Sequence, residues 1–370
     1  MSKINLLLNK YGQSVWLDYI DRNLVANGGL KALVEEGVRG VTSNPTIFHK
    51  AITSSTDYDD AILDLIQADH EIDDETLYQW LAIQDIQLAA DILKPVYESS
   101  KGEDGYVSLE VSPHIAYETD KTIEAAQHLW RAVDRPNLMI KVPGTAPGLR
   151  AVERLIADGI NVNVTLLFSV DRYREVTAAY IRGLSKNSHP EKVASVASFF
   201  VSRVDSKVDA ALDQTGNKDA QLLKGKIAIA NAKMAYQHFL KVTDSINFET
   251  ERKRGAKRQR PLWASTSTKN PAYSDVLYVE ELIGTNTVNT VTPQTLDVFQ
   301  AHGELRNSLE NDINAASREL KALTAFGIDL EQITDELEQE GVKKFADSYD
   351  QLLAALKEKR SEVAKEYASG

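Results

Sequence analysis

The sequence predicts an α/β protein, a (β/α)8 TIM barrel with additional C-terminal helices. Short β-branched runs recur eight times, each followed by a longer amphipathic stretch, and repeated strand-then-helix is the signature of a parallel sheet. Eight such units suggest closure into a barrel rather than an open sheet. The chain has 370 residues, more than the ~250 a barrel takes, and the surplus sits in inserts and in a charged, helical C-terminal stretch.

Taken in order, the expected strands are residues 14–20, 37–42, 106–111, 138–142, 160–168, 193–204, 261–267 and 286–291. Between them the helical pattern is clearest in three places. Residues 74–96 carry Leu77, Trp80, Leu81, Gln84 and Leu88 at spacings of three and four. Residues 119–133 open on the capping pair Thr119-Asp120 and bear Ile123, Ala126 and Trp130. Residues 219–242 read as one long helix of Leu222, Leu223, Ile227 and Ala230. Stretches 305–326 and 330–367 are helical and strongly charged. In the second, Val342, Phe345, Tyr349, Leu352 and Leu356 repeat with a helical period, so one face packs on something. No linker rich in Gly, Pro or Ser interrupts the chain. The expectation is one domain: a catalytic barrel over 1–303 and a helical extension, 304–370, packed on it.

Lys+Arg 42 against Asp+Glu 54 gives a net charge of −12, which argues against a dedicated nucleic-acid binder. The absence of cysteine excludes a disulfide scaffold, a thiolate nucleophile and cysteine-ligated metal. One Lys before three consecutive leucines at the start is too little for a secretory segment, and no run of ~18 apolar residues occurs. These features read as a soluble, cytoplasmic protein without a membrane partner.

The strands carry an unusual set of polar residues. They offer Asp18, Thr42 with Asn44, Ser108 with Glu110 and Ser112, Lys141, Asn161 with Asn163 and Thr165, Ser198 with Arg203 further on, and Ser265 with Ser267. An isolated Ser or Thr in a strand is ordinarily a surface or edge position. Barrel strands, however, are covered by helices outside, so a polar side chain in mid-strand faces inward. Asp, Glu and Lys are almost never fully buried unless paired, and a buried polar group without a partner costs about 1–3 kcal/mol. Asp18, Asn44, Glu110, Lys141 and Asn163 together therefore point to an active site at the C-terminal mouth. Lys141 is the sharpest of them. Its neighbours Met139, Ile140, Val142 and Pro143 are apolar, which disfavours the ammonium form. A neutral amine beside a carboxylate is what a Schiff-base nucleophile needs.

Two segments carry a family resemblance. Gly40-Val41-Thr42-Ser43-Asn44-Pro45-Thr46-Ile47-Phe48 resembles the Thr-x-Asn-Pro signature of transaldolases. The run from Ile140 to Leu149, Ile-Lys-Val-Pro-Gly-Thr-Ala-Pro-Gly-Leu, resembles the segment around that family's Schiff-base lysine. The order of the shorter motifs agrees from about Val15 to about Thr292, and the length resembles the longer bacterial members. The resemblance implies a class I aldolase barrel that moves a dihydroxyacetone unit between sugar phosphates in the non-oxidative pentose phosphate pathway, with no metal and no organic cofactor. Carried over by motif, Lys141 is the Schiff-base lysine and Asp18 the acid/base at the C4 hydroxyl. Glu110 and Thr165 hold a proton-relaying water. Thr42, Asn44, Asn163 and Ser198 bind the dihydroxyacetone hydroxyls. Arg203 holds the phosphate, helped by Ser265. Many relatives carry Ser-x-Arg near strand seven, whereas Ser265-Thr266-Ser267-Thr268-Lys269 has no Arg, so Lys269 is the expected substitute as a point charge. Phe200 on strand six and Glu110 on strand three, where fructose 6-phosphate aldolases usually have Tyr and Gln, favour transfer over simple cleavage.

Other signals are discounted. The basic run 252–260 precedes strand seven and reads as a solvated loop at the opposite face. The seven His show no metal-ligand spacing; His114, after strand three, is the one near the expected mouth, with a surface or supporting role. Two further readings stay open: an aldolase that cleaves without transferring, and a catalytically silent sugar-phosphate binder. Monomer and homodimer are equally compatible with the sequence.

Overall fold

Eight parallel strands close on themselves in the order of the sequence. They are β1 (Gln13–Leu17), β2 (Gly40–Thr42), β3 (Tyr106–Glu110), β4 (Leu138–Pro143), β5 (Val162–Leu167), β6 (Ser195–Phe200), β7 (Arg260–Ala264) and β8 (Thr287–Val291). This computed structural model describes residues 2–369; Met1 and Gly370, the outer bounds of the two expected segments, lie outside them. Every strand residue is buried, because helices cover the outside and side chains fill the inside. Register brings the chemistry together: Glu110 pairs with Lys141 across β3 and β4, and Lys141 with Asn163 across β4 and β5. Among the described residues no helix is long and apolar enough to cross a membrane.

All eight expected strands exist, with ends that differ. The expected strand 193–204 stops at Phe200, and a helix, Ser202–Gln214, begins two residues later. Val204, Val208 and Leu212 bury one face of that helix at a spacing of four; the β-branched run simply continues across the boundary. Arg203 therefore sits in the first turn of a helix rather than at the end of a strand. The strand expected to run to residue 267 stops at Ala264, since Ser265 is left-handed, with φ of +55°. The long helix expected over 219–242 is two, Lys218–Gln221 and Ile227–Thr243. Gly225 breaks it at φ +71°, and its N–H donates to Asp209 Oδ1 at 3.1 Å. In the stretch 305–326, helix occupies only Ile313–Ala325.

The discounted basic run contains one residue that is not a solvated cation. Arg260 is buried at the N-terminal end of the barrel and pairs with Asp104 at 2.8 Å. Ser14 and the Trp16 indole also donate to Asp104, at 2.6 and 3.0 Å. A buried charge survives only when paired and hydrogen-bonded, and this one is.

The C-terminal helix, Leu330–Ser369, packs on the helices Pro45–Thr53, Asp59–Ala68, Asp74–Ser99 and Ser202–Gln214 and on β5. Its buried stripe is Ile333, Leu337, Val342, Phe345, Tyr349, Leu352, Leu356 and Val363. Each such side chain contributes about 1.5–3 kcal/mol when fully buried, enough to hold a highly charged helix against the barrel. Lys359 pairs with Asp59 at 2.7 Å, and Arg360 donates to the Ile72 carbonyl at 2.6 Å.

Candidate active site

A cavity of about 490 Å³ opens at the C-terminal ends of the strands. Of the expected site residues, Asp18, Thr42, Asn44, Lys141, Thr165, Ser198, Phe200, Arg203, Ser265 and Lys269 line it. Asn163 lies one layer deeper, fully buried, where its amide donates to Ser108 Oγ at 3.0 Å and its oxygen accepts from Ser198 Oγ at 2.6 Å. Glu110 sits beside Lys141 and borders a second cavity, of about 570 Å³, walled by Tyr78, Ser112, His114 and Tyr349. His114 lies in that second cavity and pairs with Asp350 of the C-terminal helix at 2.7 Å.

Each side chain is placed by its local backbone. Lys141 is on the interior face of β4, 5% exposed. Its Nζ donates to the Ser43 carbonyl at 3.1 Å and stands 3.4 Å from Glu110 Oε2. Asp18 follows β1 directly; its N–H donates to the Val291 carbonyl at 2.7 Å, which extends the ladder by one residue. Its carboxylate accepts from Thr42 Oγ1 at 2.7 Å, and Thr42 in turn meets Thr290 Oγ1 at 2.7 Å. Asn44 caps the helix Pro45–Thr53, accepting from the Ile47 N–H at 3.1 Å, so its amide N–H groups remain for a ligand. Ser265 meets Ser202 Oγ at 2.9 Å, tying the loop after β7 to the turn that carries Arg203.

Thr165 owes its position to an irregularity. The β5–β6 register slips between Val164 and Leu167, and Leu166 takes a left-handed φ of +61°. A bulky residue there is a genuine outlier, and such strain collects at functional sites. Thr165 Oγ1 and both Glu110 carboxylate oxygens are buried without a hydrogen-bond partner. Together they offer one donor and two acceptors beside the Lys141 amine, a set suited to a water or a substrate hydroxyl.

The electrostatics divide floor from rim. Burial pushes the Asp18 carboxyl above the usual carboxylate range, against the pull of Lys141 and the Thr42 hydrogen bond. Burial raises Glu110 likewise, again opposed by Lys141. Neither is an easy anion, which suits groups that must take up and return protons. At the rim, burial lowers Arg203, and Lys269 is lowered by burial and then by the charge of Arg203. The Arg203 guanidinium lies 5.2 Å from the Phe200 ring and 5.9 Å from Phe345. The Phe345 ring also stands 5.7 Å from Lys141 Nζ.

Lining residues that the sequence did not single out for the site include Lys50, Lys344 and Phe345. Phe345 had a signal, its place on the apolar stripe of the last helix. Lys50, six residues past Asn44 on a helix starting at Pro45, had a weak one.

The model of the Transaldolase/Fructose-6-phosphate aldolase family matches residues 15–356. The chain belongs to that family. The match runs past the barrel and well into the C-terminal helix, so it spans Lys344 and Phe345. Among curated proteins named "Transaldolase", one from Trichodesmium erythraeum is 46% identical, covering 96% of this chain and 97% of its own length. Another from Saccharopolyspora erythraea is 45% identical, covering 95% and 96%. A third, from Mycobacterium marinum, is 44% identical over 97% of each chain. The transaldolase/fructose-6-phosphate aldolase family joins transfer and cleavage under one name, so the choice between them belongs to the chemistry of this site.

Proposed function

We propose that the protein is a transaldolase. It transfers a dihydroxyacetone unit from a ketose phosphate, sedoheptulose 7-phosphate or fructose 6-phosphate, to an aldose phosphate, glyceraldehyde 3-phosphate or erythrose 4-phosphate. This is a cytoplasmic step of the non-oxidative pentose phosphate pathway, and the proposed chemistry calls on no metal or organic cofactor. The observation that carries the reading is a buried lysine amine at the cavity floor with two carboxylates held above their usual range.

Lys141 Nζ adds to the C2 carbonyl and, after loss of water, forms an imine. Glu110 and Thr165 hold and protonate the departing oxygen as water. Asp18 takes the C4 hydroxyl proton, the C3–C4 bond breaks, and its electrons move into the protonated imine to give an enamine. The shorter aldehyde leaves. The acceptor aldehyde then enters, the enamine attacks its carbonyl carbon, and Asp18 returns the proton to the new C4 oxygen. Hydrolysis of the imine releases the product. Thr42, Asn44 and Ser198 bind the dihydroxyacetone hydroxyls, with Asn163 beneath them orienting Ser198. Arg203, Ser265 and Lys269 hold the phosphate.

Transfer rather than cleavage is supported by Glu110 and Phe200 at the two positions where aldolases of this type carry Gln and Tyr, and by the name of the relatives. The test is covalent. Fructose 6-phosphate followed by borohydride should leave a glyceryl adduct on the peptide containing Lys141 and abolish activity in parallel. Lys141→Ala should neither trap nor turn over, yet remain folded. Glyceraldehyde 3-phosphate should accumulate catalytically only when erythrose 4-phosphate is present. Trapping at another lysine would overturn the mechanism, and steady release without acceptor would reassign the protein as an aldolase. No trapping and no turnover would leave a binder.

A further inference from the structure

Besides Lys141, which Glu110 meets at 3.4 Å, four cations line the mouth cavity, Lys50, Arg203, Lys269 and Lys344, against one carboxylate, Asp18. That imbalance stands out in a chain of net charge −12. Three other cations on the C-terminal helix are paired. Lys343 binds Asp347 at 2.6 Å, and Lys359 and Arg360 reach Asp59 and Asp74 at 2.7 and 3.4 Å. Among the described residues Lys344 has no such partner, although it is the immediate neighbour of Lys343. It points into the cavity instead. Its backbone is fixed there by Phe345, which is 5% exposed and lies 5.9 Å from the Arg203 guanidinium. Its charge also falls on Lys269 and helps depress it. Like charges gathered without counter-charges are unfavourable until an anion arrives.

We propose that Lys344, supplied by the C-terminal helix, is a phosphate ligand of the sugar-phosphate substrates, acting with Arg203 and Lys269. The assignment rests on the sugar-phosphate reading of the site and adds a residue to it that follows the barrel in the chain. A lysine suits the place: a point charge on a flexible stem reaches a phosphate that Arg203 already orients. The last helix thereby helps choose the substrate as well as covering the mouth.

Lys344 is exposed, so substitution leaves folding intact. The test compares Lys344→Ala and Lys344→Glu with Lys343→Ala, in steady-state kinetics and in calorimetric binding of inorganic phosphate. Lys344→Ala should raise the KM for fructose 6-phosphate and the Kd for inorganic phosphate by a common factor of about three to ten. Lys344→Glu should raise both further. Turnover of unphosphorylated fructose should change less than about twofold, and Lys343→Ala should resemble wild type. Unchanged phosphate binding in Lys344→Glu would overturn the proposal. So would equal losses with phosphorylated and unphosphorylated donors, which would make Lys344 a structural part of the cover. Lys344-dependent phosphate binding in a protein that transfers nothing would sink the proposed function and leave this assignment standing.

Discussion

Replacing Asp18 with Asn separates catalysis from stability in one substitution. The amide oxygen can still accept from Thr42 Oγ1, which lies 2.7 Å from Asp18 Oδ1, so the side chain keeps its place and loses its proton affinity. A positioned general base contributes ~10²–10⁴-fold, equivalent to about 3–5 kcal/mol of barrier. Carbon–carbon cleavage should fall by that factor. Borohydride trapping at Lys141 should survive, now with the whole ketose attached. Stability should move the other way. Burial raises the Asp18 pKa on folding, so the native state holds the proton more tightly than the unfolded chain does. The wild type therefore loses stability as pH rises from the ordinary carboxylate range to the native pKa, and the loss is complete above it. Asn carries no such cost. Asp18→Asn should melt above the wild type at neutral pH, with the gain vanishing at pH values below the ordinary range. The acid limb of kcat/KM in the wild type should lie above that range too. Single-turnover cleavage, borohydride trapping, thermal melts across pH and the pH profile of kcat/KM measure these in turn. Near-normal cleavage would move the base elsewhere, most directly to Glu110 acting through water. A lower melting point at neutral pH would mean that the attraction between Asp18 and Lys141 outweighs desolvation.

Thr165→Val keeps the shape of the side chain and removes the buried, unpartnered hydroxyl. It should slow imine formation about tenfold or more with little change in phosphate binding, read by the rate of borohydride trapping; an unaltered trapping rate would remove Thr165 from the relay. At the opposite end of the barrel, Arg260→Ala would strand a 4%-exposed Asp104 with only Ser14 and Trp16 as donors. Urea unfolding should show a loss of about 3–5 kcal/mol, while activity per folded molecule is retained; a loss below about 1 kcal/mol would show that the Asp104 charge does not need Arg260.

What the sequence could and could not announce follows from the range of the interactions. Strand cores and the polar residues two apart on β3 and β5 were legible, because alternation is a local property of a covered strand. Strand ends were not. Val201 and Val204 prolong the pattern of β6 into a helix, and the stop after β7 depends on Ser265 adopting φ of +55°. The Leu166 outlier that aims Thr165 has no local signal, since nothing in Val164-Thr165-Leu166-Leu167 disfavours a regular strand. It is tolerated beside Gly341 of the C-terminal helix, where an added Cβ would meet Leu166 Cδ2 at 2.9 Å. Arg260 was misread for the same reason. Its partner Asp104 lies 156 positions away, and a run of basic residues does not disclose which member has a buried carboxylate waiting.

The reaction proposed here makes a demand that the arrangement of the cavity meets. An enamine must persist until the second aldehyde arrives, and a stray proton would end the cycle as free dihydroxyacetone. The groups able to deliver protons are kept apart by position. Glu110 lies 3.4 Å from the nitrogen of Lys141, and Thr165 lines the same cavity with an unpartnered hydroxyl, where the proposed mechanism has water leave and return. Asp18 lies at the end of β1, bonded to Thr42. The Phe345 ring stands 5.7 Å from the Lys141 nitrogen and has no acidic proton to give. The cations sit at the rim, where they can draw a phosphorylated aldose into a chain whose overall charge would repel it. A helix that follows the barrel in sequence therefore supplies both the cover over the nitrogen and one of the charges at the entrance. Removing Phe345 should then raise the fraction of turnovers that end as free dihydroxyacetone, which counts protonated enamine directly; an unchanged fraction would mean that the cover does not protect the intermediate.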